Sequence, residues 1–160
     1  MPNDLAAQIE LLTSRAAITD ALHLYARLID EGSFDAVSDI FAPDCVAEYG
    51  QRDEDTLRSS AAVVTWIRTQ LAGVRATSHH ISNVSVTFTD PHHAESLSYV
   101  YAWHDVTNPP VQPVVFGRYL DQWRRDGDSW RITHRRMFAH GTEKFPPGIL
   151  AVLRPESAAE

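Results

Sequence analysis

The chain has 160 residues, and 14 basic against 21 acidic side chains leave it a net charge of −7. That length suits one domain with its own core, and no run of Lys or Arg forms a stripe able to track a phosphate backbone, so nucleic acid is not an expected partner. Cys45 is the lone cysteine, which excludes an internal disulfide and suits a reducing cytoplasm, while the absence of a signal-like start or a membrane-length apolar run argues against a membrane.

In chain order, Leu5 to Asp30 carries apolar residues at helical spacing, with Ile18, Leu22, Tyr25 and Ile29 on one stripe. Asp30-Glu31-Gly32 closes this helix, and Ser33 is placed to cap a shorter second helix through Phe34, Val37, Ile40 and Phe41. Pro43-Asp44 forces a turn. Cys45 to Tyr49 reads as a short strand, Gly50 to Arg58 as a polar loop, and Ser59 to Ala72 as a third helix stopped by Gly73.

Beyond Gly73 the period changes from helical to alternating, predicting strands over Thr77–Thr89, Ala94–Val106, Val114–Arg125 and Ser129–Phe138. Asp90-Pro91-His92-His93 and Asp126-Gly127-Asp128 are turns of hairpin length, so consecutive antiparallel pairing follows. Helices first and a strand meander after predict an α+β fold. Strands this long curl, giving an antiparallel sheet shaped as a cone, an α+β barrel, with three N-terminal helices across its mouth. One domain over residues 1–145 and a loose tail over 146–160 are expected.

Chemistry is sought first at Ser78-His79-His80-Ile81-Ser82-Asn83. Successive strand side chains point to opposite faces, so a pocket beside this strand receives one imidazole and not the other. Parity places His80 with Val84, Val86 and Phe88, whereas His79 falls with Ile81, Asn83 and Ser85; a bulge near Ser82-Asn83 would exchange the two. Tyr25 and Asp30 come from the end of the first helix, about 140° apart at the helical 100° per residue, and converge if that helix ends or bends near Leu28. A carboxylate, a phenol and an imidazole suffice for enolisation or elimination.

Further along, Leu97, Tyr99, Tyr101 and Trp103 share one strand face, Phe116, Arg118 and Leu120 another, and Trp130, Ile132, His134, Arg136 and Phe138 a third. These offer pocket walls or an oligomer contact, and Arg136 could bind an enolate oxygen. The pairs Arg124-Arg125 and Arg135-Arg136 read as a solvated or salt-bridged face. His92, His93 and His104 sit at turns or strand ends, outside any expected site. No histidine pair has the helical spacing of a metal site and no nucleotide-binding motif occurs, so neither metal nor cofactor is expected.

Ser14-Arg15-Ala16-Ala17-Ile18 leading to Leu24-Tyr25-Ala26-Arg27-Leu28-Ile29-Asp30, then Phe34-Asp35, Phe41-Ala42-Pro43-Asp44, Ser78-His79-His80-Ile81-Ser82-Asn83 and Asp126-Gly127-Asp128-Ser129-Trp130-Arg131-Ile132 together resemble the SnoaL-like proteins. These belong to the cone-shaped superfamily of nuclear transport factor two and scytalone dehydratase. The resemblance implies the same cone and, from the dehydratase and dehydrochlorinase branch, a dyad of Asp30 with His79, His80 being the alternative, and Tyr25 beside it. It implies a lyase or isomerase acting without a cofactor on a hydrophobic cyclic or polyketide-like molecule. The superfamily also holds the small subunits of ring-hydroxylating dioxygenases, so a binding or assembly protein is the other reading, and a homodimer or homotrimer is expected in either case.

Overall fold

The computed structural model describes residues 5–50 and 53–145. The expected tail, 146–160, lies outside the described residues. Helix α1 (Leu5–Asp30) is followed by a short 3-10 helix (Phe34–Asp39), strand β1 (Phe41–Glu48), a 3-10 turn (Asp53–Asp55), strand β2 (Thr56–Leu57) and helix α2 (Ser60–Gln70). Four long strands complete it: β3 (Val74–Asp90), β4 (His93–Val106), β5 (Val114–Asp126) and β6 (Ser129–Glu143). The fold is α+β, with one curved, unclosed six-stranded sheet in the order β2-β1-β6-β5-β4-β3.

The predicted stripe of α1 is buried, with Ile18 and Leu22 at 0% exposure. Burying such side chains contributes about 1.5–3 kcal/mol each, which holds α1 against β3. The helix ends in a Schellman turn. Gly32, at φ 73°, donates its N–H to Ile29 and Ser33 donates to Leu28, at 3.0 and 2.8 Å. Only a residue tolerant of positive φ closes the helix this way. Asp30 is thereby left in its last turn, aimed at the sheet.

Two local expectations are corrected. Ser33 makes no side-chain cap, and the segment after it is a single 3-10 stretch rather than an α-helix; its apolar residues span too little chain to sustain one. At the next helix, Ser59 does cap, accepting from the Ala62 N–H at 3.1 Å. The meander β3-β4-β5-β6 pairs antiparallel throughout, but β1 joins β6 in parallel and carries β2 at the sheet edge.

The centre of the sheet corrects a third reading. Arg124, Arg125 and Arg136 do form exposed or half-exposed pairs, with Asp44, Glu10 and Glu48. Arg135 instead is fully buried, its fork bound by Asp121 at 2.7 and 2.9 Å. A register shift beside Trp123 gives β6 one extra residue, so Ile132 and Arg135 both face inward. Rings of Tyr119, Tyr25 and Phe41 lie 4.1, 4.4 and 5.3 Å from the guanidinium carbon. The two charges compensate one another and the ring faces stabilise the cation further, while Arg135 Nη1 is buried without a hydrogen-bond partner.

Breaking one half of that pair leaves a buried charge without a partner, so Asp121→Ala should lower unfolding free energy by about 3–5 kcal/mol in urea titrations. Replacing both, as Asp121→Leu with Arg135→Met, should recover most of that loss. A double variant no more stable than the single one would show that packing, not charge, dominates here.

Candidate active site

Between the concave sheet face and α1 and α2 lies a cavity of about 290 Å³. Ile29, Ile67, Leu71, Val115, Met137 and Phe145 give it apolar walls. Its polar groups include the phenols of Tyr25, Tyr49 and Tyr119 and the imidazoles of His79 and His104. Trp66 stacks on Tyr49 at 4.3 Å and completes the α2 side.

His79 is held by Asp30 in two ways. Its backbone N–H donates to Oδ2 at 2.9 Å, and Nδ1 lies 2.7 Å from Oδ1. Thr77 Oγ1 donates to the same Oδ1 at 2.8 Å. A carboxylate only accepts, so the shared proton sits on His79 Nδ1 and leaves the Nε2 lone pair as the basic end of a ring that borders the cavity. Burial pushes the Asp30 carboxyl up, but the His79 ring, the His79 amide and the Thr77 hydroxyl outweigh it and hold the group below its ordinary value. These donors also offset the unfavourable position of an anion at a helix C-terminus.

His79 faces inward because β3 bulges. Ser82 pairs with Tyr99 and Ser85 with Leu97, so β3 spends one extra residue there, and Asn83 takes φ 51°. His80 consequently lies on the other face, its Nε2 3.1 Å from Ser78 Oγ and its ring edge-on to Tyr101.

Tyr25 and Asp30 do not touch one another. The helix runs unbroken to Asp30, and the two meet functionally only through His79, which shares the cavity with Tyr25. The Tyr25 and Tyr49 hydroxyls share a hydrogen bond of 3.0 Å. Burial, then Tyr25, push the Tyr49 phenol well above its ordinary value, and the same two causes act on Tyr119. Both stay protonated and able to donate.

The remaining candidates lie elsewhere. Tyr99, Tyr101 and Phe116 are 36%, 40% and 39% exposed on the outer sheet face, and Arg118 stacks on Tyr99 there. His134 and Arg136 both bind Glu48, at 3.1 and 2.8 Å, on that side too. None of these residues lines the cavity. The inward face of β4 is instead the small one, Ala94, Ser96, Ser98, Val100 and Ala102, because the helices need that space.

Most of the cavity lining escaped the sequence reading, including Asp55 and Gln70 as well as His104, Tyr49 and Tyr119. His104 stands edge-on to His79 at 5.6 Å, with Nδ1 3.4 Å from the Pro113 carbonyl. Burial, then the neighbouring His79, push its imidazole below the ordinary value, favouring the neutral ring. Parity with Ala102 was the available signal. Tyr49 and Tyr119 carried none beyond strand parity.

A family model for the SnoaL-like domain matches residues 10–136. A presumed scytalone dehydratase from Novosphingobium aromaticivorans superposes with a TM-score of 0.84 at 22% identity, over 96% of this chain and 99% of that one. A hexachlorocyclohexane dehydrochlorinase, LinA type 2, gives 0.77 at 16% identity over 89% and 99%. A presumed aromatic ring hydroxylase from N. aromaticivorans gives 0.71 at 25% identity over 79% and 88%. No curated protein matches the chain.

Since the folded Asp30 carboxyl titrates below 3.8, its stabilising contribution is whole above that pH and fades as acid carries the protein through the lower folded value. Asp30→Asn should therefore be about 1–3 kcal/mol less stable at neutral pH. The gap should close in strong acid, as read from denaturation midpoints against pH. A pH-independent gap would mean that the carboxylate charge contributes nothing.

Proposed function

This chain belongs to the SnoaL-like domain family, and from that premise we propose that it is a cofactor-independent lyase or isomerase, of dehydratase or cyclase type, for a hydrophobic cyclic or polyketide-like molecule. The observation that carries the reading is the 2.7 Å contact between Asp30 and His79 Nδ1, with the His79 ring bordering an apolar cavity that also holds neutral phenols. Two structural neighbours bear the names of eliminating enzymes, a dehydratase and a dehydrochlorinase, which supports elimination within that class.

In the proposed reaction His79 Nε2 takes a proton from the carbon beside a carbonyl. The released electron pair moves onto the carbonyl oxygen, where a Tyr25 or Tyr49 hydroxyl donates to the developing enolate. Asp30 stays ionised and stabilises the imidazolium. Collapse of the enolate forms the carbon-carbon double bond and expels the β-hydroxyl group, which leaves as water with the proton held by His79. A single imidazole thus serves as base and then as acid. The wall residues hold the ring system and keep bulk water out of the exchange.

The direct test is turnover of cyclic β-hydroxy ketones of a size that fits the cavity, followed by the absorbance of the enone product. His79→Gln should lower the rate about a hundred- to ten-thousandfold while leaving binding of the ketone within a few-fold. Equal rates in His79→Gln and the parent protein would remove His79 from the chemistry. Tight binding without turnover of any such ketone would favour the other reading, a ligand-binding protein.

The outer sheet face supports a homodimer or homotrimer. Tyr99, Tyr101, Phe116 and Leu120 expose apolar surface side by side on β4 and β5. Glu48 and Glu95 balance Arg118 and Arg136 around them, although the whole chain carries −7. Two copies repel less on this face than elsewhere, so a second copy is the favoured occupant. Tyr101→Glu should shift the sedimentation coefficient to that of a monomer; an unchanged value would exclude this face.

A further inference from the structure

We propose that Asn83 is a positioning residue whose left-handed conformation selects which of two overlapping Ser/Thr-x-His segments meets Asp30. The segment Thr77-Ser78-His79-His80 contains two such pairs, interleaved. Thr77 and His79 point inward together, and both donate to Asp30. Ser78 and His80 point outward together and contact one another at 3.1 Å. Each pair has a hydroxyl two residues before an imidazole, which is the spacing that puts both on one face of a strand. A slip of one residue would therefore present Asp30 with an equivalent set of donors.

The apolar pattern of the strand does not favour the pair observed. After the bulge the inward residues are Val84, Val86 and Phe88. Continued without interruption, that parity runs through Ser82 to His80 and Ser78, not to His79 and Thr77. The extra residue between the Ser82–Tyr99 and Ser85–Leu97 pairings reverses it, and Asn83, at φ 51°, is the backbone site where the reversal occurs. Before the bulge, Ile81 takes the inward place and packs on the core. Both halves of β3 thus bury apolar residues only because one residue is inserted between them.

Asparagine suits the role. Its short polar side chain makes the left-handed region accessible, glycine enters it freely, and β-branched residues are disfavoured there. Asn83 does not line the cavity and is not among the groups bonded to Asp30, so its influence reaches the site through strand register. The inference deepens the reading of His79 as the base, on which its functional meaning rests, while the register itself can be measured without any substrate.

The test uses protein labelled with ¹⁵N-histidine. An imidazole Nδ1–H held by the Asp30 carboxylate should give a downfield proton resonance, assigned by its loss in both His79→Gln and Asp30→Asn. Asn83→Gly should keep that resonance at its position, and Asn83→Val should abolish or strongly weaken it. Deleting Asn83 removes the bulge and the extra residue together and restores plain alternation with Ile81 and Val84 both inward, so the resonance should persist and still disappear with His79→Gln. Any resonance that survives in Asn83→Val should disappear with His80→Gln instead. If the deletion protein depends on His80 or folds with no such resonance, or if Asn83→Val keeps a resonance that depends on His79, the proposal is overturned. Should the deletion fail to fold, the glycine and valine variants decide: like behaviour of the two overturns it, and opposite behaviour supports it. A protein that follows these expectations yet dehydrates no ketone would retain the positioning role and lose the enzymatic reading alone.

Discussion

The buried pair of Arg135 and Asp121 is the constraint around which the rest of the molecule is arranged. A guanidinium with no exposed surface requires a carboxylate, and the two are delivered by neighbouring strands that must present both side chains inward. Tyr119 shares the inward face of β5 with Asp121, while Tyr25 arrives from α1, so their rings close over the cation. Those same phenols enter the cavity lining, and the Tyr25 and Tyr49 hydroxyls are hydrogen-bonded to one another. The core's electrostatics and the polar equipment of the pocket are therefore one connected structure.

At the other side of the cavity, order comes from two backbone devices of opposite kind. The Schellman turn at Gly32 stops α1 so that Asp30 reaches the sheet, and the bulge at Asn83 turns His79 to meet it. Each is a single residue at positive φ, and they place side chains two and four residues away. The carboxylate collects a ring N–H, a backbone N–H and a hydroxyl, so His79 is fixed in both tautomer and orientation before any ligand arrives. His104, edge-on beside it and favoured neutral by burial, adds a second imidazole to the cavity wall without adding a charge.

The two faces of the sheet divide the work. The concave face uses small residues on β4 to leave room for helices and cavity, and concentrates its bulk and charge on β5 and β6 at the Trp123, Asp121 and Arg135 positions. The convex face carries the exposed aromatics and the charge-balanced Glu48, His134 and Arg136 cluster. Among the described residues no helix is long and apolar enough to cross a membrane.

The sequence by itself determined the α+β class, the long first helix with its buried stripe, the four-stranded meander and the short turns, because helical and alternating periods are local consequences of burying one side of an element. Through the family resemblance it also offered Asp30 with His79, or alternatively His80, as candidate site residues, and a bulge near Ser82-Asn83 as the feature that would turn His79 inward. What only the tertiary structure decided is which face of each strand looks inward. Tyr99, Tyr101 and Phe116 read as pocket walls because aromatic rows signal burial, yet the inward rows proved to be the small residues of β4 and the Tyr119 row of β5. Arg135 read as a surface charge because its partner Asp121 is distant in sequence, and His104 as a strand-end residue because its proximity to His79 arises only across β3 and β4. Parity is set by bulges and by pairing with other strands, and those are non-local facts that no window of sequence contains.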